Sequence, residues 1–121
     1  MVTITPAMKT LLDTQLAVIA TASKDGVPNL GPKGSMHLID DATLAYAESR
    51  GEQTLRNILE NPRVVVMVIN REKSEGYRIY GTAELLTSGD LFERVAARQE
   101  QRKKPRPRNV VRIKIENINQ V

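Results

Sequence analysis

The segment Glu48–Asn70, ESRGEQTLRNILENPRVVVMVIN, contains a helix start, a helix stop and a strand in immediate succession. Ser49 lies three residues before Glu52, a spacing typical of a capping box, in which each side chain satisfies a backbone amide of the first helical turn. The helix is predicted to end at Asn61-Pro62, because the residue before a proline disfavours helical backbone angles. Its apolar stripe is expected to comprise Leu55, Ile58 and Leu59.

The apolar run RVVVMVIN after this helix is too short and too rich in β-branched residues to form a second helix. Its continuous apolarity is typical of a strand that is buried on both faces. The segment therefore predicts a short helix that leads directly into a buried strand, and its polar start is a candidate site for an anion.

Five further strands are predicted outside this segment. QLAVIATAS ends at Asp25-Gly26, a dipeptide that favours a hairpin turn, and VPNLGPKGSMHLI follows as the second strand. Asp40-Asp41 turns the chain into TLAYAE, the third strand, while GYRIYGTAELLT and the alternating NVVRIKIEN form the fifth and sixth. Two more helices are predicted, one opening at Thr5-Pro6 and one starting at Asp90. Six strands joined by tight turns favour a small antiparallel barrel, which leaves few open edges.

The composition fits one globular domain spanning residues 1–121, with 40% hydrophobic and 26% charged residues. The absence of cysteine excludes disulfides, thiolate metal sites and thiol catalysis. Aromatic residues make up only 3%, so a flat ligand cannot rely on an aromatic cage. No apolar run approaches the roughly 20 residues of a membrane span, and the N-terminus lacks a signal-peptide pattern. We therefore expect a cytoplasmic protein without membrane association.

Hydrolytic and metal chemistry find little support in the sequence. His37 is the only histidine, which excludes a zinc site built on several histidines. It lies between Met36 and Leu38 in a predicted strand, where a surface or hydrogen-bonded role is expected. Asp40 and Asp41 are adjacent, and adjacent residues of an extended chain point to opposite faces, so they are interpreted as a turn. We predict no catalytic side chain and no metal ligand.

The net charge of +4 is concentrated in the basic segment 98–114, which contains eight of the 18 Lys and Arg residues and one acid, Glu100. This segment could bind RNA or another polyanion. It could equally be a solvated helix end and loop, because no aromatic residue is interleaved for base stacking.

Two stretches favour an anionic or flat ligand. At the predicted helix start, free backbone amides and the positive end of the helix dipole are flanked by Ser49, Gln53, Thr54 and Asn57, which could surround a phosphate, and Arg50 could add a charge. The other stretch, GPKGS at residues 31–35, interrupts a strand with two glycines and a proline, which a strand tolerates at a bulge, at an edge or beneath a flat ligand. Gly81 in the fifth strand is a weaker signal, which marks a place where another backbone or a ligand could come close.

Taken in order, these features resemble the FMN-binding split-barrel family, whose best-known branch is the pyridoxamine 5′-phosphate oxidases. The resemblance is carried by LAVIATASKDGVPNLGPKGSMHLIDDATLAYAES, QTLRNILENPRVVVMVI and GYRIYGTAEL, roughly Leu11 to Leu86. It implies a mainly β fold with short helices, a six-stranded antiparallel split β-barrel. It also implies a homodimer with FMN at the interface.

The resemblance also implies roles for individual residues. The flavin ring would lie along Pro32, Lys33, Gly34 and Ser35, and the positive charge of Lys33 beside the ring would favour the reduced, anionic flavin. Ala47 and Glu48 would touch the ribityl-phosphate arm, and Gln53 and Thr54 would hold the phosphate, with Ser49 and Asn57 beside them. The oxidase branch has a basic Arg-Lys pair where this chain has Gln-Thr, and its C-terminal substrate-binding residues have no counterpart here.

The resemblance therefore indicates a compact FMN-binding flavoprotein, an oxidoreductase that exchanges electrons or hydride with a small molecule, rather than a pyridoxamine phosphate oxidase. The alternative from another class is a cofactor-free barrel that binds a polyanion through the basic segment 98–114. Relatives of this fold also hold deazaflavin or haem, but His37 is the only histidine that could serve as an axial ligand for haem.

Overall fold

The computed structural model describes residues 3–49 and 52–121, and in these ranges it contains three helices and seven strands. The helices are α1 (Pro6–Thr14), α2 (Glu52–Glu60) and α3 (Asp90–Gln101). The strands are β1 (Ala17–Ala22), β2 (Pro28–Lys33), β3 (His37–Asp40), β4 (Thr43–Glu48), β5 (Arg63–Asn70), β6 (Glu75–Leu86) and β7 (Asn109–Gln120). No helix in these ranges has the length and apolarity needed to cross a bilayer.

All strand pairs are antiparallel, and the strand order is β2-β1-β5-β6-β7-β4-β3. The two outermost strands, β2 and β3, are consecutive in the chain and are separated only by residues 34–36. Three residues of extended chain span only about 10 Å, so the two ends of the sheet must lie close together. The sheet is therefore rolled into a barrel with a split between β2 and the β3–β4 hairpin.

The predicted number of strands was one too low, because VPNLGPKGSMHLI forms two strands instead of one. The amide of Met36 donates to the carbonyl of Lys33 at 3.1 Å and closes a turn over residues 33–36. Proline at position 32 has no amide to donate, and Gly34 contributes no packing side chain, so the strand breaks there. The mainly β fold class and the split barrel are confirmed.

The barrel interior is mainly aliphatic, with the buried ring of Tyr46 among the aliphatic side chains. Ile19, Val66, Ile79, Leu44 and Ile113 are almost completely buried and belong to one cluster inside the barrel. A second cluster lies where α3 packs on the outer face of β4 and β7, and it includes Phe92, Val95 and Val110.

The buried face of α2 differs from the predicted stripe. Thr54, Asn57 and Ile58 are buried, whereas Leu59 is 64% exposed. The polar side chains can be buried because each has a partner on the barrel: Asn29 Nδ2 donates to Thr54 Oγ1 at 3.2 Å, and Asn57 Nδ2 donates to Thr21 Oγ1 at 3.0 Å. The described part of the helix begins at Glu52, and the two residues between it and Ser49, on which the predicted capping box depends, lie outside the described ranges.

The strand β5 has one buried face and one partly open face in the single chain. Val64, Val66 and Val68 point into the barrel, whereas Val65 and Met67 are half-buried and Ile69 is 42% exposed. The expectation of burial on both faces is therefore only half met by one copy of the chain.

Gly81 is approached closely by another backbone, as its position in a strand predicted. An added Cβ would clash with the carbonyl oxygen of Lys114 in β7 and would come within 2.7 Å of Ile113 Cγ2. The register of β6 against β7 shifts at this point. The close approach is thus made by protein and does not indicate a ligand.

Candidate functional site

Two clefts meet along β2. The first, called the seam cleft, lies at the split of the barrel and has a volume of about 300 Å³. It is lined by residues 32–35 and 47–49, together with Gln99, Arg102 and Lys104 from the end of α3 and the loop after it. All six residues predicted to contact the ring and the ribityl arm therefore line one cleft, together with Ser49, which was predicted at the phosphate.

The second cleft, called the helix cleft, lies between β2 and the start of α2 and has a volume of about 610 Å³. It is lined by residues 29–33 and by Glu52, Gln53, Thr54 and Arg56. Pro32 and Lys33 line both clefts, so the two clefts adjoin along the strand.

A buried ion pair separates the seam cleft from the barrel interior. Lys33 Nζ lies 3.1 and 2.9 Å from the two carboxylate oxygens of Glu48, and the two side chains are 10% and 3% exposed. The ammonium group also lies 5.2 Å from the centroid of the buried Tyr46 ring. The predicted positive charge of Lys33 is thus matched by a carboxylate in the same cleft.

The turn between β2 and β3 is tied to the end of β4. Ser35 Oγ accepts a hydrogen bond from the amide of Ala47 at 2.9 Å and donates to the carbonyl of Ala47 at 3.4 Å. Ser35 is buried, and its hydroxyl therefore serves to continue the β3–β4 ladder. Ser49 is exposed at the rim of the cleft.

In the helix cleft, small residues leave room beside Thr54. A Cβ added at Gly31 would lie 3.3 Å from Thr54 Oγ1, a distance tighter than ordinary van der Waals contact. Thr54 Oγ1 accepts from Asn29, so its own hydrogen remains available as a donor. Glycine at position 31 thus keeps this hydroxyl accessible along β2.

Gln53 and Asn57 are bonded to each other, and only Gln53 lines the helix cleft. Gln53 Nε2 donates to Asn57 Oδ1 at 2.8 Å, and Arg56 Nη2 donates to Gln53 Oε1 at 3.1 Å. Asn57 is 1% exposed and lines neither of the two clefts along β2. Its position supports the side chain of Gln53, and the predicted direct contact with a ligand finds no support in this arrangement.

Sequence reasoning missed the wall of the seam cleft that α3 provides. Arg102 Nη1 donates to Gln99 Oε1 at 3.4 Å and its Nη2 donates to the carbonyl of Gly34 at 3.3 Å, while Lys104 lines the same cleft. The only signal in the sequence was the positive charge of the basic segment 98–114, which does not show where its side chains point.

The remainder of the basic segment 98–114 is not a uniform cationic surface. Arg106 Nη2 lies 2.8 Å from Glu93 Oε2, and Arg112 forms an ion pair with Glu84. Arg98 Nη1 lies 3.5 Å from the carbonyl oxygen of Ser35. Arg50, which was expected to add a charge at the helix start, lies outside the described residues.

His37 and Asp40 each make a hydrogen bond to the backbone close to them in sequence. His37 is 7% exposed, and its Nδ1 lies 2.7 Å from the carbonyl oxygen of Ser35, as expected for a hydrogen-bonded histidine. Asp40 Oδ1 accepts from the amide of Ala42 at 2.9 Å and closes the predicted turn. Within residues 3–49 and 52–121, no three His, Cys, Asp or Glu side chains come together as a metal site would require.

Comparison with known proteins identifies relatives over nearly the whole chain. The family model described as pyridoxamine 5′-phosphate oxidase matches residues 4–121. The uncharacterized protein MJ0282 of Methanocaldococcus jannaschii is 36% identical over 121 residues, which cover 97% of this chain and 80% of that protein.

Solved structures share the fold closely. Group A Streptococcus HupZ is 40% identical, with a TM-score of 0.93 over 98% of this chain and 94% of that chain. An FMN-binding protein from Syntrophomonas wolfei is 22% identical, with a TM-score of 0.82 over 93% and 82% of the two chains. The heme storage protein HutZ from Vibrio cholerae is 17% identical, with a TM-score of 0.75 over 94% and 92%. The last two likenesses establish the fold alone.

Proposed function

Because the chain belongs to the pyridoxamine 5′-phosphate oxidase family, we propose that it is a flavoprotein that binds FMN and exchanges electrons or hydride with a small molecule. One observation carries the proposal: nine of the ten predicted cofactor-binding residues line two clefts that share Pro32 and Lys33. Two adjoining clefts, of which the helix cleft has polar donors, suit a ligand that has a flat ring at one end and an anion at the other.

The phosphate is assigned to the helix cleft. Thr54 and Gln53 supply neutral donors at the start of α2, where the positive end of the helix dipole adds to them. Gly31 keeps the space beside Thr54 Oγ1 open. The residues present therefore fit a phosphate ester, although the grip depends on hydrogen bonds more than on charge.

The flavin ring is assigned to the seam cleft. Bound FMN would supply the redox chemistry, and the protein would supply position and electrostatics. Lys33 and Glu48 cancel one another at the floor of this cleft, so the positive charge that favours an anionic ring must come from Arg102 and Lys104. This assignment moves the electrostatic role from Lys33, where the sequence predicted it, to the end of α3.

A second copy of the chain would cover the open face of the barrel. Leu30, Ala20, Val65 and Tyr80 are successive register partners across β2, β1, β5 and β6, and they form an apolar row on the outer face of the sheet. Leu30 is 72% exposed and Tyr80 38%. Because the row includes β2, a homodimer through this face would place partner residues beside the helix cleft.

Two rival ligands can be separated from FMN. Haem is a candidate because HutZ, a heme storage protein, shares this fold. His37 is the only histidine of the sequence that could ligate the haem iron. A polyanion is favoured by the basic segment 98–114, yet two of its arginines, Arg106 and Arg112, are paired with carboxylates. Neither rival explains why the predicted residues of β2, β4 and α2 converge.

The test is a comparison of FMN and riboflavin binding, measured by the quenching of flavin fluorescence and by the visible spectrum before and after dithionite. Thr54→Val should weaken FMN binding at least tenfold and leave riboflavin binding nearly unchanged, because only FMN has the phosphate. Arg102→Met should weaken both ligands equally, because its proposed contact is with the ring.

The same samples are titrated with haemin and with a short RNA in rising salt. Equal losses of FMN and riboflavin in Thr54→Val would reject the phosphate assignment. Failure of the wild-type chain to bind FMN, together with a haemin absorption band that disappears in His37→Ala, would reject the flavin proposal. RNA binding that falls steeply with salt, without flavin binding, would reject it in favour of the polyanion reading.

A further inference from the structure

A third cleft, called the α3 cleft, has a volume of about 490 Å³ and contains none of the residues of the two clefts along β2. It lies between the end of α1, the start of β3 and the middle of α3. Its polar lining consists of Asp13, His37, Arg94, Arg98 and Gln101. The cleft therefore brings the only histidine of the chain together with two arginines.

The two arginines lie one helical turn apart on the same face of α3. Within residues 3–49 and 52–121 neither belongs to an ion pair, in contrast to Arg106 and Arg112. Arg94 Nη2 lies 3.4 Å from the carbonyl oxygen of Ile39, and Arg98 Nη1 lies 3.5 Å from that of Ser35. These distances exceed the usual 2.7–3.2 Å for such bonds, so both guanidinium groups keep most of their donor capacity.

Arg98 is half-buried, and its pKa is lowered by that burial and by the neighbouring charge of Arg102. Asp13 at the rim of the cleft opposes this effect, but its carboxylate lies 3.0 Å from Lys9 Nζ. A desolvated guanidinium with little opposite charge nearby is stabilised by an oxyanion, which can accept two parallel hydrogen bonds from it.

The ring of His37 presents one further polar atom. A carbonyl oxygen is only an acceptor, so Nδ1 must carry the hydrogen in its bond to Ser35, and Nε2 is left as an acceptor in the neutral ring. Burial and the charges of Arg98, Arg94 and Arg102 lower the pKa of His37 below about 6.5, outweighing the bond to Ser35. At neutral pH the ring is therefore uncharged, and it can donate from Nε2 only after taking up a proton.

We propose that the α3 cleft is a binding site for a small oxyanion, a phosphate or carboxylate group, held by Arg94 and Arg98 and by the protonated ring of His37. Binding takes up one proton from solvent at Nε2, and the anion charge compensates for the three arginines that otherwise oppose protonation. Affinity therefore rises as the pH falls through the pKa of His37. The site is independent of the flavin proposal, because it shares no residue with the clefts along β2.

The experiment follows the imidazole ring of His37 by NMR in the full chain, where a single histidine gives an unambiguous signal. The pH is titrated at constant ionic strength in chloride, in inorganic phosphate and in succinate. If the imidazolium form binds an oxyanion about tenfold more tightly than the neutral form, the apparent pKa rises by about one unit at saturation. A rise with phosphate alone, with succinate alone or with both supports the site and identifies the group it accepts.

Matched variants locate the effect. Arg94→Met, at an exposed position that should not disturb folding, is expected to abolish the rise, and Asp13→Asn is expected to strengthen binding by removing an opposing carboxylate. Lys114→Met removes an exposed cation outside the cleft and should leave the rise unchanged. The same pKa in all three solutions, or a rise that persists in Arg94→Met, would overturn the proposal.

Discussion

The ion pair between Lys33 and Glu48 joins two parts of the barrel that share no backbone ladder. Lys33 ends β2 at one edge of the sheet, and Glu48 ends β4 near the other. With side chains only 10% and 3% exposed, both charges are largely removed from water. The solvent screening that weakens surface ion pairs is therefore small for this pair. Removal of one partner from a buried ion pair typically costs about 3–5 kcal/mol of stability.

The perturbation is Lys33→Met, which keeps most of the apolar side chain and deletes the ammonium group. We expect the free energy of unfolding to fall by about 3 kcal/mol, at the lower end of that range, because Glu48 has a further interaction besides Lys33. The double variant Lys33→Met/Glu48→Gln should recover most of the loss, since an amide costs much less to bury than a carboxylate.

The assay is urea denaturation of all variants without added flavin, because a ligand that binds only the folded state would mask the difference. Lys9→Met is the matched control: Lys9 and Asp13 lie 3.0 Å apart, but their side chains are 62% and 46% exposed. That exposed pair should contribute at most about 1 kcal/mol. A loss in Lys33→Met no larger than in the control, or no recovery in the double variant, would refute the reasoning.

Two further predictions concern the sheet. Gly81→Ala should lower the free energy of unfolding by about 1–3 kcal/mol, because the new Cβ meets the backbone of Lys114. Gly34→Ala is the control: its new Cβ meets nothing within 4 Å, so the free energy of unfolding should change little. Equal urea midpoints for the two variants would contradict this prediction. Leu30→Glu should convert the proposed homodimer to a monomer in light scattering, because it introduces a charge on the apolar row; an unchanged mass would show that this face is not the interface.

The sequence predicted the fold well where a local rule decides the outcome. Asp25-Gly26 and Asp40-Asp41 formed turns, and Asn61-Pro62 ended α2 as expected. The number of strands was wrong because GPKGS can form either a distorted strand or a turn, and only the meeting of the sheet edges selects the turn. The predicted apolar stripe of α2 was also wrong. Thr54 and Asn57 are buried because they have hydrogen-bond partners on β2 and β1, and helical periodicity does not reveal such partners.

The residues that β2 and β4 contribute to the candidate site were predicted, whereas those from α3 and the loop after it were missed. Residues 32–35 were identifiable because glycine and proline interrupt the strand there, whereas Ala47 and Glu48 were identified only through the family resemblance. Gln99, Arg102 and Lys104 reach the seam cleft only because α3 packs on β4 and β7. A contact that depends on helix docking leaves no pattern in the residues that make it.

Arg98, Arg102 and His37 lie beside the residues that connect β2 to β3 at the split in the barrel. Residues 34–36 connect the two edges of the sheet, so the carbonyl groups of Gly34 and Ser35 lie outside the β2 and β3 ladders. Carbonyl groups outside the ladders accept hydrogen bonds from other donors, and Arg102 contacts that of Gly34 while Arg98 and His37 contact that of Ser35. A neutral side chain of similar length would offer fewer donors than the guanidinium fork. Because these arginine contacts are long, at 3.5 Å for Arg98 and 3.3 Å for Arg102, both guanidinium groups keep donor capacity for the clefts that they line.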